Sequence, residues 1–421
     1  MSDADWVTSE QALASVLGSV DALGAETVRA EEALGRALAQ PLDARVDHPP
    51  WDNSAMDGFA VHSADVAGAS RDAPAVLAIS DDIPAGQFPT GPLASGTAAR
   101  IMTGAPVPEG ASGVVRVEHT DGGGGDHVAV FRDQDANRNI RKKAEDISKG
   151  QRLLERGSEV TPAVVALLAM NGLSEVSVGR RPRIGVIANG DELADPDDFD
   201  EVLAGRRIAN SNSPGLCAQI LEAGGIPVSL GIARDDPDSL ERCIRAGADC
   251  DGLVSAAGVS VGDHDYVKEV LDDLEFERAF WRITMRPGSA TLFGLLDGRP
   301  FWGVPGNPVS ALVTFEVLGR PALRRMAGFA DVLRAEIPCR LAESMGGATD
   351  VTSFLRVELA GWANGMPSVR LSGRQGSGVL SSMVADGLLV LPVGAGAMAA
   401  GETGRMIPLR RLAVPFLDAA D

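Results

Sequence analysis

DGLVSAAGVSVGDHDY, residues 251–266, reads in turn as a strand, a loop and a helix. Asp251–Ser255 has the composition of a short buried strand, apolar through Leu253 and Val254. A loop of small residues follows from Ala256 to Gly262, and then the acidic pair Asp263 and Asp265. From Tyr266 the apolar positions Val267, Val270, Leu271 and Leu274 fall three or four apart, the period of a helix. A strand that runs into a small-residue loop and opens a helix is where open α/β sheets bind anions. The neighbouring carboxylates suit a hard cation travelling with the anion. A tight turn without a ligand is the competing reading.

The same alternation extends to both sides. A strand at Ile184–Ile187, a helix at Ser213–Ala223, a strand at Val228–Ile232 and a helix at Pro237–Ala246 precede it. Strands near Trp281–Met285 and Phe301–Val304 and a helix at Val309–Met326 follow. This order predicts a doubly wound, mostly parallel α/β domain over residues 182–328. Ligand-capable groups fall where strands hand over to loops: Asn189-Gly190-Asp191-Glu192, Asp235-Asp236, the 256–262 loop and Pro305-Gly306-Asn307-Pro308. Such sheets bind ligands at these carboxyl ends. The turn before Val309, with Pro308 at the first helical position, offers backbone N–H groups to a phosphate.

The flanks read differently. Thr8 and Gln11 form a capping box ahead of a helix at Ser9–Val20, and a second helix is expected at Ala30–Ala39. The stretch Asp47–Val61, DHPPWDNSAMDGFAV, reads as a rigid functional loop, with an Asx-rich turn as the alternative. Short apolar runs at Ala75–Ile79, Ala98–Met102, Val114–Val117 and Val128–Phe131 predict a small inserted β-rich domain over 50–141. Gly122–Gly125 reads as an exposed hairpin tip there, and Arg141, Lys142 and Lys143 beside Glu145 and Asp146 as a solvated charge cluster. Thr161, Pro162 and Gly172 bracket a helix at Pro162–Asn171, so a helical/mixed N-terminal domain of residues 1–49 resumes over 142–181. Strands at Phe354–Leu359, Ser368–Leu371, Leu388–Leu391 and Met406–Leu409 predict a C-terminal β-barrel-like domain over 329–421.

Composition narrows the function classes. The 421 residues carry a net charge of −20, from 38 basic and 58 acidic side chains, which disfavours nucleic acid and anionic membrane as partners. A single tyrosine argues against base-stacking surfaces. A small anionic ligand stays open, because helix N-termini and a few local cations hold one against the overall field. Cys217, Cys243, Cys250 and Cys339 show no CxxC spacing, and none of the five histidines stands at zinc-site spacing to them. Reduced thiols are expected. With neither a leader-like N-terminus nor an 18-residue apolar run, the expectation is a soluble, cytoplasmic protein.

Seven separated motifs in order resemble the molybdopterin molybdenumtransferases, the MoeA family, to which the C-terminal domain of gephyrin also belongs. They are DNSAMDGFAV (52–61), TGAPVPEGASGVV (103–115), NIRKKAEDISKG (139–150), NGDEL (189–193), AGVSVGDHDY (257–266), VPGNPVSA (304–311) and QGSGVLSS (375–382). The resemblance implies the last assembly step of molybdenum cofactor. Molybdate is inserted into adenylylated molybdopterin and AMP is released with Mg²⁺ present. It also implies a homodimer with the site in a cleft shared between partners, and contact with other cofactor-assembly proteins. By position it makes Asp57, Asp146, Glu192 and Asp265 catalytic candidates, with Glu192 and Asp265 holding the metal. Thr103, Ser260, Arg286, Ser289, Gly306, Asn307, Arg356, Ser377 and one of Asp235 and Asp236 become substrate-binding candidates.

The chain departs from the family pattern at the family's PGKP segment, which here is Pro287-Gly288-Ser289-Ala290, and at Ala257, Ala144 and Asn189. Serine in place of a lysine removes a charged donor worth about 1.5–3 kcal/mol to an oxyanion. Two readings therefore stand: a working transferase with a retuned site, and a catalytically weakened paralogue that binds molybdopterin or scaffolds cofactor-handling proteins. A transferase acting on tungstate or a modified cofactor is a third.

Overall fold

The structure, a computed structural model, describes residues 6–257 and 266–412. Ser260 and Asp265, with the loop that carries them, lie outside these residues. The chain divides into two compact units: Met1–Gln40, Arg156–Ala169 and Leu173–Asp421 form one, and Pro41–Glu155 with Met170–Gly172 the other.

In the first unit a six-stranded sheet runs Ile226–Ala233, Arg183–Asn189, Gly252–Ala256, Arg299–Val304, Leu292–Leu296, Glu277–Phe280. The first four strands are parallel and the last two antiparallel. Alternate residues feed opposite faces, as strand geometry requires. Val186, Val254 and Trp302 join one apolar cluster with Leu216, Ile220 and Val309. Ile187, Leu253 and Phe301 join the other, with Leu240, Ile244 and Val267. Burial on both faces explains why these strands read as continuous apolar runs. Asp236 caps the helix Pro237–Ala246 and Pro237 opens it; Thr8 and Gln11 form the capping box of Ser9–Gly18. The doubly wound sheet is as the sequence predicts.

A seven-stranded sheet lies in the same unit, in the order Trp6–Thr8, Arg282–Arg286, Thr352–Ala363, Met366–Leu371, Ile337–Leu341, Thr403–Pro408, Gly387–Leu391. The last strand pairs back onto Thr352–Ala363, so five strands close into a ring. Arg282–Arg286 corrects the sequence reading, which put a strand near Trp281–Met285 in the parallel sheet. Only Ile283 and Met285 of this strand are buried, an alternation that suits a one-faced position. The place in the six-stranded sheet goes to Leu292–Leu296, a nearly continuous apolar run.

Two helix expectations are also corrected. Ala30–Ala39 is helical only over the 3₁₀ turn Ala30–Ala33; Gly35 then takes φ 74°, and Leu38 and Ala39 donate to Ser158 and Ser177 carbonyls. Val309–Met326 is interrupted by a π-helical turn at Phe315–Gly319, between Pro308–Thr314 and Arg320–Met326. Pro321 lacks an N–H and its ring crowds the carbonyl four residues back, which favours the wider turn.

The second unit holds a five-stranded sheet ordered Gly113–Arg116, Gly58–Val61, Thr97–Ile101, Ala75–Ile83, His127–Val130. Part of the Asp47–Val61 loop is thus a fully buried strand. Gly122–Gly125 is no hairpin tip, because the strands on either side of it occupy opposite edges of the sheet. Gly123 is buried, and the Arg100 guanidinium donates to the Gly122 and Gly123 carbonyls. The four cysteines are free thiols, and burial raises the pKa of each. Among the described residues no helix is long and apolar enough to cross a membrane.

Candidate functional site

The carboxyl ends of Arg183–Asn189, Gly252–Ala256 and Arg299–Val304 open on a cavity of about 460 Å³ in the first unit. Its lining includes Asn189, Glu192, Asn212, Ala257, Gly306 and Asn307. The local backbone is tightly specified. Gly190 adopts φ 141°, and a Cβ there would fall on the Glu192 carboxylate. Ala257 adopts φ 77°, a left-handed conformation costly for any residue but glycine. Its Cβ stands 3.0 Å from where a Cβ at position 306 would fall, so a side chain at Gly306 would crowd this neighbour.

Asn189 and Asn212 bind this framework together. The Asn189 amide donates to Ser255 Oγ at 2.5 Å and to the Ala257 carbonyl at 3.1 Å. The Asn212 amide donates to the Gly306 carbonyl at 2.8 Å. Asp236 is spent on its helix cap, donated to by Ser239 N at 2.7 Å, whereas Asp235 accepts from Asp191 N at 3.2 Å. Of the two carboxylates left open by the sequence, Asp235 is the one that reaches the 189–192 turn.

A second cavity, also about 460 Å³, adjoins the first through Ala290, Pro305 and Asn307. Arg286, Ser289, Ser310 and Ser377 line it. Arg286 and Ser289 are exposed. Between them Gly288 takes φ 110°, and a Cβ on it would strike the Thr314 hydroxyl. The turn before Val309 is less available than its sequence suggests, because Val309 N already donates to the Ser377 carbonyl at 3.2 Å. That bond ties the two turns together.

Arg286 also lines a third space of about 330 Å³, with Gln375 and Arg356. Arg356 is 1% exposed. Its guanidinium donates to Ser382 Oγ and the Gly376 carbonyl, each at 3.2 Å, and among the described residues no carboxylate pairs with it. Burial pushes its pKa down, the signature of a cation without a counter-charge. Gln375 grips the Arg356 backbone from both sides, at 2.9 and 3.0 Å, and so sets the 375–378 turn.

The second unit carries the remaining candidates. Thr103 donates to Asp57 Oδ1 through both its hydroxyl and its N–H, each at 2.7 Å. The hydroxyl and then the amide hold the Asp57 pKa below the ordinary carboxylate range. Asp146 is exposed, on a turn where Ala144 adopts φ 60°. The basic run is not merely solvated: Lys142 Nζ reaches Asp52 at 2.8 Å and Lys143 Nζ reaches Asp47 at 3.4 Å, clamping the Asp47–Asp57 loop.

Glu192, Arg286, Ser289, Gly306, Asn307, Arg356 and Ser377 therefore line adjoining cavities in one unit, and Asp57 with Thr103 form a bonded pair in the other. Among the described residues no group of three or more His, Cys, Asp or Glu side chains is placed to hold a metal ion. Sequence reasoning did not single out Asn212, and it marked Gln375 only as the first residue of the QGSG turn, without a role of its own. The Asn210–Asn212 run directly ahead of a helix, and the glutamine opening the QGSG turn, were the available signals.

The carboxyl edge of the parallel sheet opens on a cavity that adjoins the one lined by Arg286, and Arg286 in turn shares a space with the buried Arg356. Residues 7–172 match the MoeA N-terminal region (domain I and II), 185–325 the "Probable molybdopterin binding domain", and 338–409 the MoeA C-terminal region (domain IV). The chain is 38% identical over 339 residues to a Mycobacterium tuberculosis protein named molybdopterin molybdenumtransferase 2, covering 79% of this chain and 83% of that one. It is 32% identical to a Staphylococcus aureus molybdopterin molybdenumtransferase, covering 94% and 93%. The crystal structure of a molybdopterin biosynthesis MoeA protein from Pyrococcus horikoshii superposes with a TM-score of 0.79 at 30% identity, over 96% of this chain and 100% of that one. The chain belongs to the MoeA family of molybdopterin molybdenumtransferases.

Proposed function

We propose that this protein is a working molybdopterin molybdenumtransferase that inserts molybdate into adenylylated molybdopterin and releases AMP. The observation that carries the reading is Arg356. A buried guanidinium with only neutral partners is expensive, and an oxyanion entering the adjoining space supplies the missing charge. Arg286 adds a second cation at the mouth, and Ser289 and Ser377 add hydroxyl donors. Ser289 donates a hydrogen bond where the family places a lysine, so the oxyanion is held with one charge fewer.

Mg²⁺ fits the 189–192 turn. The ion keeps several waters and needs one or two protein carboxylates. Glu192 lines the first cavity, on a turn whose glycine leaves its carboxylate room. Glu192, with Asp265, would hold the ion, which when bound neutralises charge on the phosphate oxygens. Asp57, held ionised by Thr103, and Asp146 are the second unit's catalytic candidates in this reading. A cytoplasmic homodimer completes the proposal.

The test is AMP release from adenylylated molybdopterin with Mg²⁺, with and without molybdate. Molybdate-stimulated release is expected, and it should fall at least tenfold in Glu192→Gln. The weakened-paralogue reading is favoured by Ser289 and by the left-handed Ala257. Tight pterin binding with no release under either condition would establish it instead.

A further inference from the structure

Of the chain's five tryptophans only Trp6 is exposed, at 42%. It opens the edge strand Trp6–Thr8 of the seven-stranded sheet, outside the parallel sheet altogether. Yet it lines the cavity that Arg286, Ser289 and Ser377 share. Its place is fixed twice over. Trp6 pairs directly with Arg282 on the neighbouring strand, and two residues on, Thr8 closes the capping box of Ser9–Gly18. The Arg282 guanidinium lies 5.2 Å from the centre of the indole ring, a cation held over an aromatic face. One face is thereby taken, and the part left exposed borders the cavity. An indole held in this way offers a large flat surface with little side-chain freedom left to lose.

We infer that Trp6 is a substrate-binding residue, on which a flat heteroaromatic ring of the substrate stacks while Arg286, Ser289 and Ser377 hold anionic groups of the same molecule. The inference rests on the transferase reading and adds to it a contact supplied by the strand Trp6–Thr8. Charge divides the cavity between the two parts of the ligand. An oxyanion gains from the guanidinium and the hydroxyls and nothing from the indole, whereas a ring gains from stacking whatever its substituents, because every such ring has a π-face. Asp350 lines the same cavity and is an acceptor suited to an exocyclic amino group. Adenylylated molybdopterin carries two flat rings, pterin and adenine, and each bears such an amino group. An indole that served only to cover Arg282 would have no bearing on ring ligands, and this separates the two roles by experiment.

The experiment measures binding of AMP, pterin-6-carboxylate and ribose 5-phosphate to the protein by isothermal titration calorimetry, with molybdate-dependent AMP release recorded on the same preparation. Ribose 5-phosphate carries the anion without the ring. Trp6→Ala is expected to weaken one or both ring ligands about fivefold to a hundredfold and to leave ribose 5-phosphate unchanged. Trp6→Phe should restore most of the loss. A loss confined to AMP assigns the wall to adenine, and one confined to pterin-6-carboxylate assigns it to the pterin. Unchanged binding of both ring ligands in Trp6→Ala overturns the inference. So does an equal loss for all three ligands, which would mark Trp6 as structural. In either case AMP release by the unaltered protein leaves the transferase reading standing. A ring-specific loss without AMP release supports the stacking and overturns the reaction. Failure of both ring ligands to bind the unaltered protein overturns the inference outright.

Discussion

Ala256 and Ala257 are neighbours whose replacement by glycine should move stability in opposite directions. Ala257 sits at φ 77°, where a side chain costs about 1–2 kcal/mol. Glycine removes that cost but loses about 0.5–1 kcal/mol more chain entropy on folding. Ala257→Gly should therefore stabilise the first unit by about 0.5–1 kcal/mol. Ala256, 1% exposed, ends the central strand Gly252–Ala256 with its methyl in the apolar cluster. Ala256→Gly forfeits a buried methyl worth about 0.8 kcal/mol. It also carries the strand penalty of glycine, about 0.5–1 kcal/mol, for a loss near 1.5 kcal/mol. The two variants should differ by about 2 kcal/mol. Urea denaturation followed by tryptophan fluorescence reads this, because Trp302 lies on the adjacent strand, paired with Val254. If Ala257→Gly weakens the protein as much as Ala256→Gly does, the left-handed strain is not there and the argument fails.

Other substitutions probe the anion-binding groups. Arg356→Met removes a buried charge that has only neutral partners, so the urea midpoint should hold or rise while molybdate protection against unfolding disappears; retained protection would take Arg356 out of the site. Ser289→Lys should tighten molybdate binding about tenfold or more, read by isothermal titration calorimetry, and an unchanged affinity would show that the position does not face the oxyanion. Thr103→Val should raise the Asp57 pKa back toward the ordinary carboxylate range, followed by carboxylate NMR. Because the folded-state pKa is depressed, the stability contributed by Asp57 is present above its unfolded pKa and is lost as pH falls through the folded one. Thr103→Val should therefore flatten the acid side of the stability profile, and an unaltered profile would assign the depression elsewhere.

Much of this architecture could be read from residue patterns, for physical reasons that also mark where reading stops. The parallel strands are buried on both faces and the helix Pro237–Ala246 carries its own cap and its own proline, so each is written locally. Arg282–Arg286 was misplaced because strand composition announces burial, and sheet membership is decided by partners at Trp6–Thr8 and Thr352–Ala363. The π-helical turn likewise left the apolar period of Val309–Met326 intact. At the site, carboxylates at strand ends were visible, but the unmatched charge of Arg356 was not. That property depends on which residues are absent around it, and no local pattern encodes an absence. The cost at Ala257 was legible in part, since the small-residue loop gave reason to expect a constrained backbone.

The strand Trp6–Thr8 lies against Arg282–Arg286, which lies in turn against Thr352–Ala363. During synthesis Trp6–Thr8 has no partner strand until Arg282–Arg286 has left the ribosome. Gly387–Leu391 and Thr403–Pro408, which complete the ring, follow the other strands of that sheet in the chain. The six-stranded sheet finds all its strand partners within residues 183–304, whereas Arg282–Arg286, paired with Trp6–Thr8 on one side, keeps its other edge open until residue 352 appears. Nascent chains stalled between these points therefore present an open strand to any other chain with a free edge. Slow decoding before residue 352 is thus a hazard for this protein, and a chaperone that covers strand edges should act on that interval.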